Sequence, residues 1–221
     1  IPELVHGFEN MNATIKITPK DRAFHDPAQA SRPFSADRRG FVLSEGAGVL
    51  VLAAEEMIAA LGLSARAEVA GIGWTSDAFH FTNPNPETIN RAILEAIDDA
   101  GLLPADIQYV NTHGTSTPKG DQTEVECLRT IFGKRLEKVP ISSNKSQIGH
   151  TLGAAAAIEA ALTIEGMRRG IILPTINHIP DPKMADIDVV PNEARHQQVE
   201  FALSNAFGFG GTNCCVIFKG V

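Results

Sequence analysis

Most residues able to do chemistry in this chain fall into three short polar clusters. The first runs Asn111-Thr112-His113-Gly114-Thr115-Ser116-Thr117-Pro118-Lys119-Gly120-Asp121-Gln122-Thr123-Glu124, and the second Ser142-Ser143-Asn144-Lys145-Ser146-Gln147-Ile148-Gly149-His150. The third is Asn205-Ala206-Phe207-Gly208-Phe209-Gly210-Gly211-Thr212-Asn213. Taken singly, these residues have plain structural explanations. Lys145 can be a solvated loop cation, the glycines of 208–211 can serve a turn that needs positive φ, and Asp121 and Glu124 can be first-turn helix carboxylates. The repetition argues for more. Two clusters follow short apolar runs that read as neighbouring parallel strands, and ligands of α/β sheets bind beyond the carboxyl ends of strands. His113 and His150 would then share one rim of the sheet.

Several chemistries can be weighed for that rim. A metal site built from His113, His150, Asp121 and Glu124 would face repulsion from Lys145, and the sequence has no HExxH pairing. A phosphate cradle at 208–211 lacks both a GxGxxG that opens a helix and a Walker Lys-Ser/Thr. A serine hydrolase needs a GxSxG elbow, which is absent. Carbonyl chemistry remains. Two neutral imidazoles would donate N–H bonds to a developing enolate oxygen, with a cation and a carboxylate fixing their tautomers.

The elements that must position these groups are legible from periodicity. Residues 1–40 read as polar and irregular, and the Val49-Leu50-Val51-Leu52 run as a strand buried on both faces. A short helix over 53–61 ends at Gly62, and a strand covers 67–74. Ile89, Ala92, Ile93, Ala96, Ile97 and Ala100 form one apolar stripe, so 87–100 is an amphipathic helix terminated by Gly101. Strands over 107–110 and 139–142 alternate with helices over 123–132 and 149–169, and strands over 200–205 and 212–219 close the chain. The pattern predicts α/β layering around a largely parallel sheet with a terminal β-hairpin interrupted by the third cluster. The helix over 149–169 carries small side chains around most of its circumference, which predicts a central helix sandwiched between layers.

Composition narrows the function classes. The chain has 221 residues, with 19 Lys+Arg against 26 Asp+Glu, and this net charge of −7 argues against an extended nucleic-acid footprint. The Ala-rich stretch over 151–164 carries Glu159 and is too short and too weakly apolar to span a bilayer. Cys127, Cys214 and Cys215 fit neither a disulfide framework nor a CxxC metal site, which points to a reducing cytoplasmic compartment. No secretory leader is visible. The start at Ile1 rather than Met suggests processing or a piece of a longer polypeptide.

The clusters together carry a specific resemblance. His113-Gly-Thr-Ser-Thr-Pro-x-Gly-Asp-x-x-Glu124, Lys145-x-x-x-Gly-His150 and Asn205-x-Phe-Gly-Phe-Gly-Gly-Thr-Asn213 resemble, in order and spacing, the three C-terminal signatures of the elongating β-ketoacyl-acyl-carrier-protein synthases. Ser31-Arg-Pro-Phe34, Asp37-Arg-Arg-Gly-Phe-Val42 and Glu45-Gly-Ala-Gly48 resemble that family's segment near the end of its first half. The resemblance implies a thiolase-like fold, α/β in five layers αβαβα with two homologous halves. Residues 1–64 would then end the N-terminal half, and 65–221 would form the C-terminal half. By the same resemblance, His113 and His150 match the histidines that stabilise the enolate when malonyl-carrier protein decarboxylates. Lys145 matches the lysine beside them, Glu124 the carboxylate anchoring it, and Asp121 a support behind it. Thr115 and Thr117 match the hydroxyls that hold the phosphopantetheine arm. Phe209 matches the gating ring over the acyl pocket, flanked by Phe207, Gly208 and Gly210.

The family's nucleophilic Cys belongs to the first half, and no matching segment occurs here. The carboxylates of Glu124 and Glu126 would raise the thiol pKa of Cys127, and Cys214 and Cys215 read as strand residues. The resemblance therefore implies part of an acyltransferase of fatty acid or type II polyketide and polyene assembly, incomplete as this chain alone. It would perform decarboxylative Claisen condensation on substrates delivered by acyl carrier protein, with no metal or permanently bound cofactor. The missing half would come from the same polypeptide or a separate chain, in a homodimer or ketosynthase-type heterodimer. The alternative is a non-catalytic, chain-length-factor-type subunit. A thiolase-like enzyme acting on coenzyme A thioesters is disfavoured, since thiolases pair one His with Cys. Carrier proteins are acidic, which makes Arg32, Arg38 and Arg39 a candidate docking cluster, against a reading as internal salt bridges.

Overall fold

The computed structural model describes residues 2–221, with the backbone alone for Pro2 and Leu4. The helices are α1 (Pro2–Asn10), α2 (Arg22–His25), α3 (Glu55–Leu61), α4 (Pro86–Asp99), α5 (Pro118–Phe132), α6 (Lys145–Ile148) and α7 (Ala155–Arg169). The strands are β1 (Ala67–Ser76), β2 (Tyr109–Asn111), β3 (Ile141–Ser142), β4 (Ile171–Ile172), β5 (Arg195–His196), β6 (Phe201–Gly208) and β7 (Thr212–Gly220). Five of the strands form one sheet in the order β1-β7-β6-β2-β3, and β4 and β5 pair separately.

The sheet is mixed rather than largely parallel. β2 runs parallel to β3 and β6, but β7 is antiparallel to both β6 and β1. The reason is the terminal hairpin, which inserts between β2 and β1 and contributes antiparallel ladders on both sides of β7. The third polar cluster does not interrupt this hairpin: pairing continues to Gly208 opposite Thr212.

On one face of the sheet, α4 and α5 close a core that includes Ile89, Ile93, Val110, Leu128, Ile141, Leu203 and Ile217. The α4 stripe forms as expected, capped by the Asn85 side chain at Glu87 N–H and ended by Gly101 at φ 65°. Gly71 and Gly73 let this helix lie directly on β1, since a Cβ at Gly73 would overlap the Ala92 carbonyl oxygen. α5 begins five residues earlier than periodicity suggests, because Pro118 supplies a favoured first helical residue. On the opposite face, α7 packs over Tyr109, Val199, Ala202 and Phe218 through Ala160 and Met167.

Three expectations change. Residues 2–10 are helical rather than irregular, while Ile1 lies outside the described residues. The run over 49–52 forms no ladder, and Val49, Val51 and Leu52 are 87%, 91% and 77% exposed. An apolar run becomes a strand only where a neighbouring edge accepts its N–H and C=O groups, and no such edge exists among the described residues. The Ala-rich helix starts at Ala155, after left-handed backbone at Gly149 (φ 71°) and Leu152 (φ 53°). It is covered on one side, through Ala155, Glu159, Ala160, Thr163 and Met167, while Ala156 and Ala161 opposite are exposed.

The close approach of α4 to β1 gives a direct test. Gly73→Val should cost about 3 kcal/mol or more, because the clash is with backbone that cannot rotate away. Gly7→Ala, where nothing lies within 4 Å, should be neutral or slightly stabilising. Urea unfolding midpoints of the two variants measure the contrast.

Candidate active site

Parallel pairing of β2 with β3 brings their following loops to one rim. His113 follows β2 by two residues, and His150 follows the short helix α6. Their ring centroids stand 5.5 Å apart at 82°. Phe207 lies 5.4 Å from His113, and Phe41 lies 5.3 Å from His150. Both imidazoles line a cavity of about 590 Å³ whose wall also includes Thr115, Thr117, Phe207, Gly208 and Phe209.

The tautomers are set by the main chain. Phe207 N–H donates to His113 Nδ1 at 3.3 Å, and Leu152 N–H donates to His150 Nδ1 at 3.2 Å. An accepting Nδ1 leaves the ring proton on Nε2. Burial, reinforced by the Lys145 charge, pushes the His113 pKa well below its ordinary value and lowers that of His150 to about 3. The rim therefore presents two neutral N–H donors, an arrangement suited to an oxyanion. The expectation that a cation and a carboxylate fix the tautomers is corrected, since backbone amides already occupy both Nδ1 positions.

Glu124 instead shapes the loop. It accepts the N–H groups of His113 and Gly114, both at 2.8 Å, and the Asn205 amide at 3.1 Å. Burial pushes its carboxyl up against those hydrogen bonds. Lys145 is ion-paired not with Glu124 but with Glu159 of α7, at 2.6 Å, with both side chains buried. Glu159 is the site residue that sequence reasoning missed. Its signal was present, as a single carboxylate within an otherwise small-residue helix. The backbone of Lys145 is also held, because Ser31 Oγ donates to its carbonyl at 2.5 Å.

Asp121 makes no contact with the rings. Its carboxylate accepts Phe34 N–H at 2.8 Å and Ser116 N–H at 3.1 Å, and lies 3.6 Å from Arg38 Nε. It thereby ties the 31–38 segment to the His113 loop, and burial pushes its carboxyl up to about 7. Thr115 and Thr117 share a hydroxyl–hydroxyl bond of 2.9 Å facing the cavity. Phe209 occupies the hairpin turn, followed by Gly210 and Gly211 at φ 83° and 85°, while Gly208 remains in β6. The Phe209 ring stacks on Phe81 at 5.9 Å, and the turn is bonded to that loop through Asp77 N–H to Gly211 O and Gly210 N–H to Phe81 O.

The arginine cluster does not form a docking surface. Arg32 is fully buried, donating to Asp21 at 2.7 Å and to the Gln29 and Asp37 carbonyls. Arg38 is ion-paired with Asp181 at 2.8 Å, with its side chain 8% exposed. Only Arg39 is half-exposed, and it lies 3.5 Å from Asp21. A guanidinium inside the protein needs carboxylate partners, so these charges are spent internally. The cysteines are equally unavailable. Burial, together with Glu124, Glu126 and Asp77, pushes the Cys127 thiol up to about 12, and Cys215 is buried and raised as well.

Two predictions follow the electrostatics. Glu159→Ala strands the Lys145 ammonium in the interior and should cost about 3–5 kcal/mol of unfolding free energy, measured by denaturant titration. A histidine whose native pKa is depressed takes its proton mainly on unfolding, so its stabilisation is complete above about pH 6.5 and is lost as pH falls. Relative to His150→Gln, the parent protein should therefore lose up to about 1.4 kcal/mol per pH unit between pH 6.5 and 4, read from paired unfolding curves.

Comparison with known proteins places this geometry. The profile of the β-ketoacyl synthase C-terminal domain matches residues 66–178. A 3-oxoacyl-[acyl-carrier-protein] synthase 2 of Staphylococcus aureus is 46% identical over 197 residues, covering 88% of this chain and 49% of that protein. A β-ketoacyl synthase of Burkholderia phymatum STM815 superposes with a TM-score of 0.91 at 42% identity, over 100% of this chain and 52% of the other. A type II PKS ketosynthase, in complex with its acyl-carrier protein and bound to the hexaketide, gives a TM-score of 0.93 at 31% identity, over 100% of this chain and 53% of the other. The chain thus has the thiolase-like α/β fold of the ketosynthases and spans about half the length of the curated relatives it matches. It belongs to the β-ketoacyl synthase family and carries that family's C-terminal domain.

Proposed function

We propose that this chain supplies the decarboxylating histidines and the acyl gate of a β-ketoacyl synthase, an acyltransferase joining acyl and malonyl groups carried on acyl carrier protein. The observation that carries the reading is the pair of neutral imidazoles 5.5 Å apart, each with Nδ1 engaged by a main-chain amide. In the proposed reaction the bond from the malonyl α-carbon to its carboxylate breaks, CO₂ leaves, and the electron pair moves into the thioester carbonyl. The Nε2–H groups of His113 and His150 stabilise the enolate oxygen so formed. Neutral donors suit this step, because a charged ring would also hold the malonyl carboxylate and stabilise the ground state. The enolate carbon then attacks the carbonyl of an acyl thioester, forming a carbon–carbon bond as the carbon–sulfur bond breaks, and the thiolate that leaves lies outside these 221 residues, since none of the three cysteines is poised as a thiolate.

In this reading Thr115 and Thr117 receive the phosphopantetheine arm, and Phe209 closes the acyl pocket through a turn that glycines allow to swing. Residues 1–64 end the first half of the enzyme and 65–221 form the second. The rest of the first half and a dimer partner would cover the exposed apolar run at Val49, Val51 and Leu52, and with it Ile72 and Trp74 of β1. The names of the relatives support fatty acid or type II polyketide assembly, with acyl carrier protein as the partner. No helix among the described residues is long and apolar enough to cross a membrane, and a cytoplasmic location belongs to the same reading.

Decarboxylation of malonyl-carrier protein by the complete assembly containing this chain tests the proposal. His150→Ala should lower kcat for CO₂ release by about 100-fold or more. An assembly in which intact His113, His150 and Lys145 release no CO₂ would point to the non-catalytic, chain-length-factor-type role instead.

A further inference from the structure

Lys119 stands where a lysine is poorly placed for stability. It lies in the first turn of α5, where the helix macrodipole disfavours positive charge. Its side chain is exposed, and among the described residues no carboxylate lies within ion-pair distance of it. Among the described residues it is also the only lysine or arginine lining the cavity that holds His113 and His150. Among the described residues the one carboxylate on that lining, Asp77, is held by Thr88 Oγ1, the Asn213 amide and Asn85 N–H and forms no ion pair with Lys119. Lys119 is moreover adjacent to the hydroxyl pair. A Cβ on its neighbour Gly120 would meet Thr117 Oγ1 at 2.5 Å and Thr115 Oγ1 at 3.6 Å, so the first turn of α5 backs directly onto these threonines.

The wall thus offers uncharged hydrogen-bonding groups at Thr115 and Thr117 and, beside them, one cation without an ion-pair partner. The complementary ligand is polar and uncharged along its length and anionic at the end nearest solvent. We propose that Lys119 binds the phosphate of the phosphopantetheine arm, and so makes this site prefer a phosphorylated arm over an unphosphorylated one. The inference rests on the reading of Thr115 and Thr117 as the arm's binding groups. A lysine serves a phosphate as a mobile point charge, which fits an exposed side chain held by no internal partner.

Binding to the complete synthase, measured calorimetrically with 4′-phosphopantetheine and with pantetheine, tests the assignment without requiring turnover. The phosphorylated arm should bind more tightly to the parent protein. Lys119→Ala should reduce that preference by about tenfold, the effect of one charge-assisted contact, and Lys119→Arg should retain most of it. Lys119→Ala replaces an exposed residue with a strong helix former, and an unchanged unfolding midpoint checks that the fold is kept. A parent protein indifferent to the phosphate, or a preference that survives in Lys119→Ala, overturns the proposal. So does a variant that binds malonyl-carrier protein more weakly while keeping its preference for free phosphopantetheine, since the cation would then face the carrier's acidic surface. If pantetheine fails to compete with malonyl-carrier protein for the parent enzyme, the reading of the threonine pair falls as well, and that failure appears in an arm without any phosphate.

Discussion

A buried lysine–carboxylate pair sets the terms for the rest of the site. Glu159 of α7 meets Lys145 at 2.6 Å, so a helix on one face of the sheet is bound to a loop at its rim. The charge acts on both imidazoles, lowering their affinity for protons beyond what burial alone does. Desolvation by itself favours neutral rings, and a fixed neighbouring cation makes the preference firm. The ion pair is thus a structural bolt and also an electrostatic control on the two groups that face the cavity.

Main-chain amides then decide which way those neutral rings donate. Leu152 N–H is available to His150 because left-handed backbone at Gly149 and Leu152 delays the start of α7. Phe207 N–H is available to His113 because β6 pairs in parallel with β2 and runs beside its loop. Glu124 holds the His113–Gly114 backbone from below, and Asp121 fastens the 31–38 segment to the same loop. Carboxylates that look catalytic by type therefore work on amides here, while the proton positions follow from backbone geometry.

The same chain is well finished at the rim and open elsewhere. Phe209, Phe81 and the 77–85 loop are linked by backbone bonds and a ring stack, so the turn and the loop form one wall of the cavity. By contrast, the run over 49–52 and one side of α7 carry apolar or small residues with nothing packed on them. An exposed apolar run is costly to leave bare, and this surface agrees with a chain half as long as its relatives.

Local sequence determined much of this protein. The period of α4, its stop at Gly101, and the grouping of His113, Lys145 and His150 near strand ends follow from residue type and spacing, because turns, caps and stripes depend on neighbours a few positions away. The three signatures also made the family legible. Only the tertiary structure decided which carboxylate meets Lys145, since Glu159 is brought to it by the packing of α7 and not by proximity in the motif. It likewise decided that Arg32 and Arg38 are buried ion-pair members, that the terminal hairpin inserts to make a mixed sheet, and that Val49 to Leu52 lacks a partner. Each of these depends on contacts between segments distant in sequence, where hydrogen-bond partners and burial are fixed by the fold as a whole.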